Sequence, residues 1–369
     1  MKKFLIDILL MLSLLFAALT GCNVHEWPEE EVVVPLYLSL EFNIAMGEYD
    51  HYFTRAVSRT EKSDRVVNRT LGEYDMRYTI NAYPIEENGT VSQKPVKQYV
   101  FTRPVMTVYD YTTEMIDLPV GRFQLMVWAD FVEPNKITDM HYHPANFAGI
   151  YLNKTYVGNT DYRDAFRGIT QVEMQDYPYV LEPQTIIIGM ERPLAKYTFV
   201  TTDLKEFIEK EATRNNRNSG EEASTKEVNT KDPDTKEPDK EDENDIKFED
   251  YKVVFYYTGF MPNTYNMFTD RPIDSATGVN FTSSLTQLNE NEAIMGFDYV
   301  MVNSGDGSVL VTVGLFDKEN NPLSMSDEIN VPLNRSFNTI VRGSFLMQEA
   351  NGGVGINPGF EGDHIIEIP

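Results

Sequence analysis

Hydrophobic and polar residues alternate along much of the chain, which is the pattern of half-buried β-strands. Over residues 32–40 every second residue is valine or leucine, and this predicts a first strand over 32–42. The same period of two occurs over 122–128, where Phe123, Leu125 and Val127 are predicted to face a core. The chain is therefore predicted to be mainly β-structure.

Further strands are predicted wherever this pattern returns between turn residues. They fall at 76–83, 96–103, 112–118, 180–190, 194–201, 251–257, 293–302, 309–317 and 338–346. Asn88-Gly89 and Pro119-Val120-Gly121 each predict a hairpin turn, because proline fixes one turn position and glycine accepts a positive φ. The fold class predicted from these patterns is all-β.

A charged segment divides the predicted strands into two groups. Residues 203–250 contain 17 acidic and 9 basic residues and almost no aliphatic side chains after Ile208. Such a segment cannot bury enough apolar surface to offset its ordering entropy. We predict an N-terminal β-domain over 32–202, an acidic and largely disordered insertion over 203–247 that can begin as a helix over 204–212, and a C-terminal β-domain over 248–369.

Composition restricts the classes of partner. The 369 residues carry a formal net charge of −25, which disfavours nucleic acid because phosphate binding needs lysine and arginine. The chain has one cysteine, so it can form no internal disulfide and no zinc site made of several thiolates.

The single cysteine lies at the end of a secretion-type segment. Lys2 and Lys3 precede an apolar run that is shorter than a membrane-spanning helix needs. The run ends in Leu19-Thr20-Gly21-Cys22, which resembles the lipobox of bacterial lipoproteins; the alternative is an ordinary signal peptide with a chance cysteine. The resemblance implies a signal peptide over 1–21 and acyl chains on Cys22 that anchor the protein to the outer membrane.

The residues after Cys22 are acidic. Residues 22–31 contain four glutamates, which an anionic bilayer would repel, so this stretch is predicted to be a solvated tether. It also resembles the surface-export signal of Bacteroidetes lipoproteins.

Candidate chemistry is sparse. His141, His143 and Asp139 could hold a metal, although a loop of ordinary composition is the simpler interpretation, and we predict no metal and no cofactor. No nucleophile elbow or phosphate-binding loop occurs, and nothing among the 57 acids selects a glycosidase pair, so no catalytic residue is predicted. Trp128 is predicted to face outward from its strand and is the candidate for stacking on a glycan; the alternative, which is the commoner outcome for such a residue, is partial burial against the other domain or a helix.

Several stretches in order resemble the fimbrillin-like lipoprotein superfamily of Bacteroidetes, which includes type V pilins and their FimB/Mfa-type anchor and accessory subunits. These stretches are the lipobox, 118–130, 163–168, 331–346 and the glycine-rich 352–356. The resemblance implies two tandem transthyretin-like β-sandwich domains. It also implies assembly with other fimbrial subunits by strand complementation, in which a donated strand fills an opened sheet.

In that superfamily, pilins lose their first strand to an arginine-specific protease, whereas anchor subunits keep the lipid. Here the donor-like first strand is 32–42, and the candidate processing residues are Arg55, Arg59, Arg65 and Arg69. The predicted function is a surface-exposed anchor or accessory subunit, or an adhesin, tethered through Cys22. The alternative is a surface glycan-binding lipoprotein of an uptake system; an envelope hydrolase is the least supported.

Overall fold

The computed structural model describes residues 32–42, 50–54, 74–105, 112–175, 183–223 and 246–348. Twenty-one strands and one long helix, α1 (Leu204–Ala223), account for most of them. The predicted all-β class is therefore confirmed. Within this described part, none of the helices has the length and apolar character needed to cross a bilayer.

The first lobe is a sandwich of two sheets. A three-stranded sheet in the order β10-β1-β5 faces a four-stranded sheet in the order β4-β3-β6-β9. Their inward side chains form a continuous apolar core that includes Phe123, Leu125 and Val127, as the alternation over 122–128 predicts. The strands are β1 (Val33–Phe42), β3 (Asp75–Pro84), β4 (Lys97–Pro104), β5 (Thr112–Pro119), β6 (Gly121–Val132), β9 (Ala165–Met174) and β10 (Gln184–Met190).

The second lobe is also a sandwich. One sheet has the order β16-β17-β11-β21-β2, and the other has the order β15-β12-β18-β19, with β20 also paired to β18. The strands are β2 (Asp50–Thr54), β11 (Leu194–Thr201), β12 (Lys252–Tyr257), β15 (Asn280–Ser283), β16 (Thr286–Gln287), β17 (Ala293–Met301), β18 (Gly307–Phe316), β19 (Pro322–Met325), β20 (Ile329–Leu333) and β21 (Phe337–Gly343).

A fifth sheet, here called the bridging sheet, joins the two halves of the sequence. Its order is β14-β13-β8-β7, from β7 (Tyr142–His143), β8 (Ile150–Leu152), β13 (Met261–Asn266) and β14 (Arg271–Ala276). Beneath it lies a shared apolar cluster to which both halves contribute, including Trp128 and Phe147 from the first and Tyr265 and Tyr299 from the second. The two lobes are thus packed together through a common sheet and a common core.

Strand pairing crosses the predicted domain boundary at residue 202. β11 lies before it, yet β11 pairs antiparallel with β17 and parallel with β21. Its residues Ala195, Tyr197 and Phe199 belong to the core of the second lobe. In the structure, therefore, the sheet of the second lobe includes Leu194–Thr201, which lie before residue 202, as well as β2 (Asp50–Thr54).

The helix α1 continues further into the acidic segment than the sequence predicts. Leu204 and Phe207 are buried in the core of the second lobe, which stabilises the start of a helix whose later turns are polar. The helix runs to Ala223, so residues 213–223, predicted to be disordered, are helical. The rest of the predicted insertion, up to residue 245, lies outside the described residues.

The two predicted hairpin turns have different outcomes. Asn88-Gly89 connects β3 and β4, which pair antiparallel, and Gly89 has a φ of 84°, so this hairpin is confirmed. Pro119-Val120-Gly121 connects β5 and β6, which lie in different sheets, so the hairpin predicted there is wrong. The turn passes the chain from one layer of the sandwich to the other.

Candidate assembly site at the first strand

β1 occupies the middle of the three-stranded sheet of the first lobe. It pairs parallel with β10, in register from Leu36↔Gln184 to Phe42↔Met190. On its other side it pairs antiparallel with β5, from Val33↔Pro119 to Leu40↔Thr112. The strand predicted over 32–42 is therefore present, and it is the strand through which β5 and β10 are held in one sheet.

The side chains of β1 alternate between the core and the outer face. Leu36, Leu38 and Leu40 are fully buried in the core of the first lobe. Tyr37, on the opposite face, is more than a third exposed. Withdrawal of β1 would thus open a slot lined by the backbone of β5 and β10, with three leucine-sized spaces beneath it.

The residues predicted for lipid attachment and processing lie outside the described residues. This holds for Cys22 and for Arg55, Arg59, Arg65 and Arg69. Arg55 directly follows β2, whose five residues pair parallel with β21 at the edge of the second lobe. All four arginines therefore follow both β1 and β2 in the chain.

Trp128 does not have the exposed ring that glycan stacking requires. Its side chain is fully buried and packs against Tyr142, with ring centroids 5.4 Å apart, and against Tyr265, at 6.2 Å. Val127 and Trp128 do point to opposite faces of β6, as the alternation predicts, and Val127 faces the core of the first lobe. The other face of β6, however, is covered by the bridging sheet and the second lobe. The prediction of Trp128 as a surface stacking residue is wrong for this physical reason.

The two histidines considered as metal ligands, His141 and His143, have different surroundings. His143 Nδ1 lies 2.6 Å from Asp139 Oδ2, and Asp139 Oδ1 accepts a hydrogen bond from Arg77 Nη1 at 2.5 Å. His141 is buried, and its Nε2 atom has no hydrogen-bond partner among the described residues. The described part of the chain contains no group of three His, Cys, Asp or Glu side chains placed to hold a metal ion.

A buried ionic network links the two lobes, and sequence reasoning did not identify it. Arg163, which follows the bridging-sheet strand β8, forms an ion pair with Asp298 of β17, with Nε 3.3 Å from Oδ1. Tyr156 and Tyr257 each donate a hydrogen bond to Asp298 Oδ2, at 2.5 and 2.7 Å, and Tyr197 donates to the Tyr257 hydroxyl at 2.9 Å.

The network favours the charged form of Arg163 and only partly offsets the cost of charging Asp298. Burial raises the pKa of Asp298, and the Arg163 charge and the tyrosine hydroxyls reduce that rise without cancelling it. Burial disfavours the Arg163 guanidinium, but the Asp298 carboxylate and the neighbouring tyrosines together outweigh it and raise the pKa of Arg163. The arrangement satisfies a buried charge and leaves no reactive group open to solvent, so it indicates a structural role.

Acid pH is expected to destabilise the protein through His141. Burial and, to a smaller extent, the charge of nearby Arg163 together lower the pKa of the His141 imidazole to about 3. Between this value and the ordinary pKa of about 6.5 the unfolded chain binds more protons at His141, so its contribution to stability is lost as the pH falls below about 6.5. Urea midpoints at pH 7.0 and 4.5 should therefore differ less for His141→Leu than for the natural chain.

Asp130 provides a comparison within the same protein, because its effect on the pH dependence of stability has the opposite sign to that of His141. Burial raises the pKa of Asp130 to about 6 against the lowering effect of Arg77. Over the interval from about 6 down to about 4 the folded state binds more protons at this carboxyl, so its contribution rises as the pH falls. An unchanged pH slope in His141→Leu would contradict the assignment to His141.

The geometry defines a two-lobed β-sandwich protein whose first strand lies in the middle of a three-stranded sheet. The chain belongs to the family of unknown function DUF6562, whose model matches residues 29–369. No curated protein matches the chain.

Similar solved structures come from Bacteroidetes. The fimbrial anchor protein Mfa2 from Porphyromonas gingivalis is 10% identical, with 79% of this chain and 82% of that chain covered at a TM-score of 0.35. A candidate adhesin from Bacteroides thetaiotaomicron is 11% identical, covering 81% and 80% at 0.39. A candidate adhesin from Bacteroides ovatus is 10% identical, covering 85% and 87% at 0.38.

Proposed function

We propose that the chain is a lipid-anchored protein of the outer membrane surface that acts as a fimbrial anchor or accessory subunit, or as an adhesin. It joins other fimbrial subunits by β-strand complementation and has no catalytic role. The observation that carries the proposal is the position of β1, which lies between two strands that do not pair with each other. A donated strand with alternating apolar residues fits the same position.

The lipid anchor in this proposal is supported by the sequence around Cys22. It is the one cysteine of the chain, and it follows the apolar run directly. Eleven residue steps separate it from Val33, which at about 3.3–3.6 Å per residue gives a reach of at most about 40 Å. The first lobe is therefore held close to the bilayer, and the acidic residues 22–31 act as its tether.

Replacement of Cys22 by serine is expected to release the protein from the envelope. Without the thiol no acyl chain is attached, and no described helix replaces that anchor. Membrane flotation with immunodetection measures the release, and Ser13→Ala in the same leader segment is the matched control. A Cys22→Ser protein that still floats with the membranes would contradict the anchor.

The identity of the mature N-terminus separates an anchor from a pilin. Mass spectrometry of membrane-extracted protein is expected to show an acylated Cys22, as a tethered subunit requires. A start directly after Arg55, Arg59, Arg65 or Arg69 would instead show that the chain is trimmed and polymerised.

Strand exchange is expected to occur at the β1 position. Full-length protein that is cut by an arginine-specific protease within 55–69 and then freed of its N-terminal fragment should bind a labelled peptide of residues 32–42, because the peptide restores both the backbone ladders and the three buried leucines. A peptide in which Leu36, Leu38 and Leu40 are aspartate is the control and should not bind. Equal binding of the two peptides, or no binding of either, would contradict complementation at β1.

A further inference from the structure

An exposed pair of aromatic rings stands on the outer face of the bridging sheet. His143 of β7 and Tyr151 of β8 lie directly opposite each other, with ring centroids 4.4 Å apart and planes inclined by 19°. Their neighbours Tyr142 and Ile150 are buried in the shared cluster. Because successive side chains of a strand point to opposite faces, His143 and Tyr151 lie on the outer face of the sheet. Tyr151 is 48% exposed, whereas Trp128 is fully buried.

The ring pair is held in place from the core. Arg77, only 3% exposed, donates hydrogen bonds to both carboxylate oxygens of Asp130 and also to Asp139. Asp139 in turn contacts His143 Nδ1, which fixes the imidazole against Tyr151. A surface ring supported in this way loses little conformational freedom when a ligand stacks on it.

A strip of small and polar residues, formed by Gly149, Thr264 and Asp274, lies on the other side of Tyr151. Thr264 of β13 is directly opposite Tyr151, and Asp274 of β14 is opposite Thr264. Gly149, two residues before Tyr151 on the same face, has no side chain and leaves the methyl group of Thr264 uncovered on that side. At about 4.8 Å between neighbouring strands, the backbones of Tyr151 and Asp274 stand about 10 Å apart, with Thr264 between them.

We propose that Tyr151 and this strip bind a neutral oligosaccharide. One sugar ring stacks on the open face of Tyr151. Its hydroxyl groups donate hydrogen bonds to the Asp274 carboxylate, and they donate to or accept from the Thr264 hydroxyl. Asp274 and the net charge of −25 disfavour an anionic sugar. Quaternary ammonium groups are typically held in cages of several aromatic rings, whereas here one face of one ring is open.

This site is independent of the anchoring and strand exchange proposed above. It lies on the bridging sheet, whereas β1 lies in the three-stranded sheet of the first lobe. Failure of either proposal therefore leaves the other intact.

Affinity electrophoresis of the full-length protein in detergent tests the sugar site. Gels containing yeast α-mannan, dextran or soluble starch supply neutral hexose polymers, and retardation is expected in at least one of them. Tyr151→Ala should weaken the affinity by roughly tenfold or more, whereas Tyr151→Trp should keep it. Phe260→Ala, which removes an aromatic ring that is 75% exposed elsewhere, is the matched control and should not change migration.

Results other than those expected would overturn the proposal. Absence of retardation in all three gels would do so, as would equal retardation of Tyr151→Ala and the natural chain. Capture by immobilised poly-lysine that Tyr151→Ala abolishes, without polysaccharide binding, would show that the strip takes a basic peptide. Near-ultraviolet circular dichroism confirms that the variants are folded, so a lost interaction reports on Tyr151 and the strip.

Discussion

Replacement of Asp298 by alanine is expected to lower the free energy of unfolding by about 3–5 kcal/mol, because it leaves the buried Arg163 charge without its partner. It also removes the acceptor of the hydrogen bonds donated by Tyr156 and Tyr257. Urea denaturation at pH 7, followed by tryptophan fluorescence, measures the change.

Two comparison variants isolate the effect of the buried charge. Lys136→Ala removes a surface ion pair with Glu133 and should cost less than about 1 kcal/mol. Combining Asp298→Leu with Arg163→Met removes both charges and should be less destabilising than Asp298→Ala. A loss below about 1 kcal/mol for Asp298→Ala would show that the network is not a stabilising connection between the lobes.

The network also bears on how the lobes unfold. Arg163 and Asp298 come from different lobes, and a second buried pair, Arg192 with Asp164, lies close by in the chain. With the bridging sheet and the shared cluster, these contacts couple the lobes over a wide area. A single unfolding transition is the physical consequence, since neither lobe keeps its contacts when the other opens.

Local patterns were sufficient to predict most strands. The alternation over 32–40 is interpretable because one face of β1 is apolar and fully buried, while Tyr37 is partly exposed. Phe123, Leu125 and Val127 were predicted inward on the same grounds and lie in the core of the first lobe. Each of these predictions depends on residues two apart in the chain.

Features that depend on distant pairing could not be predicted in the same way. The alternation of β11 is that of a strand, but nothing within 194–201 specifies that its neighbours are β17 and β21, about 100 or more residues later. The turn at Pro119-Val120-Gly121 has hairpin composition, yet it joins two sheets. The ionic network likewise joins residues that are adjacent only after both lobes have formed.

The aromatic residues show how unpredicted burial of a strand face leads to the wrong candidate site residue. Trp128 was placed outward because its neighbours face inward, and a strand with one buried face would have exposed it. β6 is buried on both faces, whereas Tyr151, on the short strand β8, keeps an open face. The signal that could have identified Tyr151 is its proximity to His143 within 139–153, where two short strands lie at one side of a sheet.

Trp128→Ala is expected to destabilise the protein by about 3–5 kcal/mol, which is the usual cost of removing a large buried aromatic side chain. The cavity would open between Tyr142 of the first half and Tyr265 of the second, so both lobes lose packing together.

Differential scanning calorimetry measures this loss, because Trp128 itself is a main fluorescence probe. Met115→Ala, on the exposed face of β5, is the matched control and should change the stability by less than about 0.5 kcal/mol. Trp128→Phe should fall between the two, since it keeps part of the apolar volume. Two resolved transitions in Trp128→Ala, with one lobe as stable as in the natural chain, would show that the shared cluster does not couple the lobes.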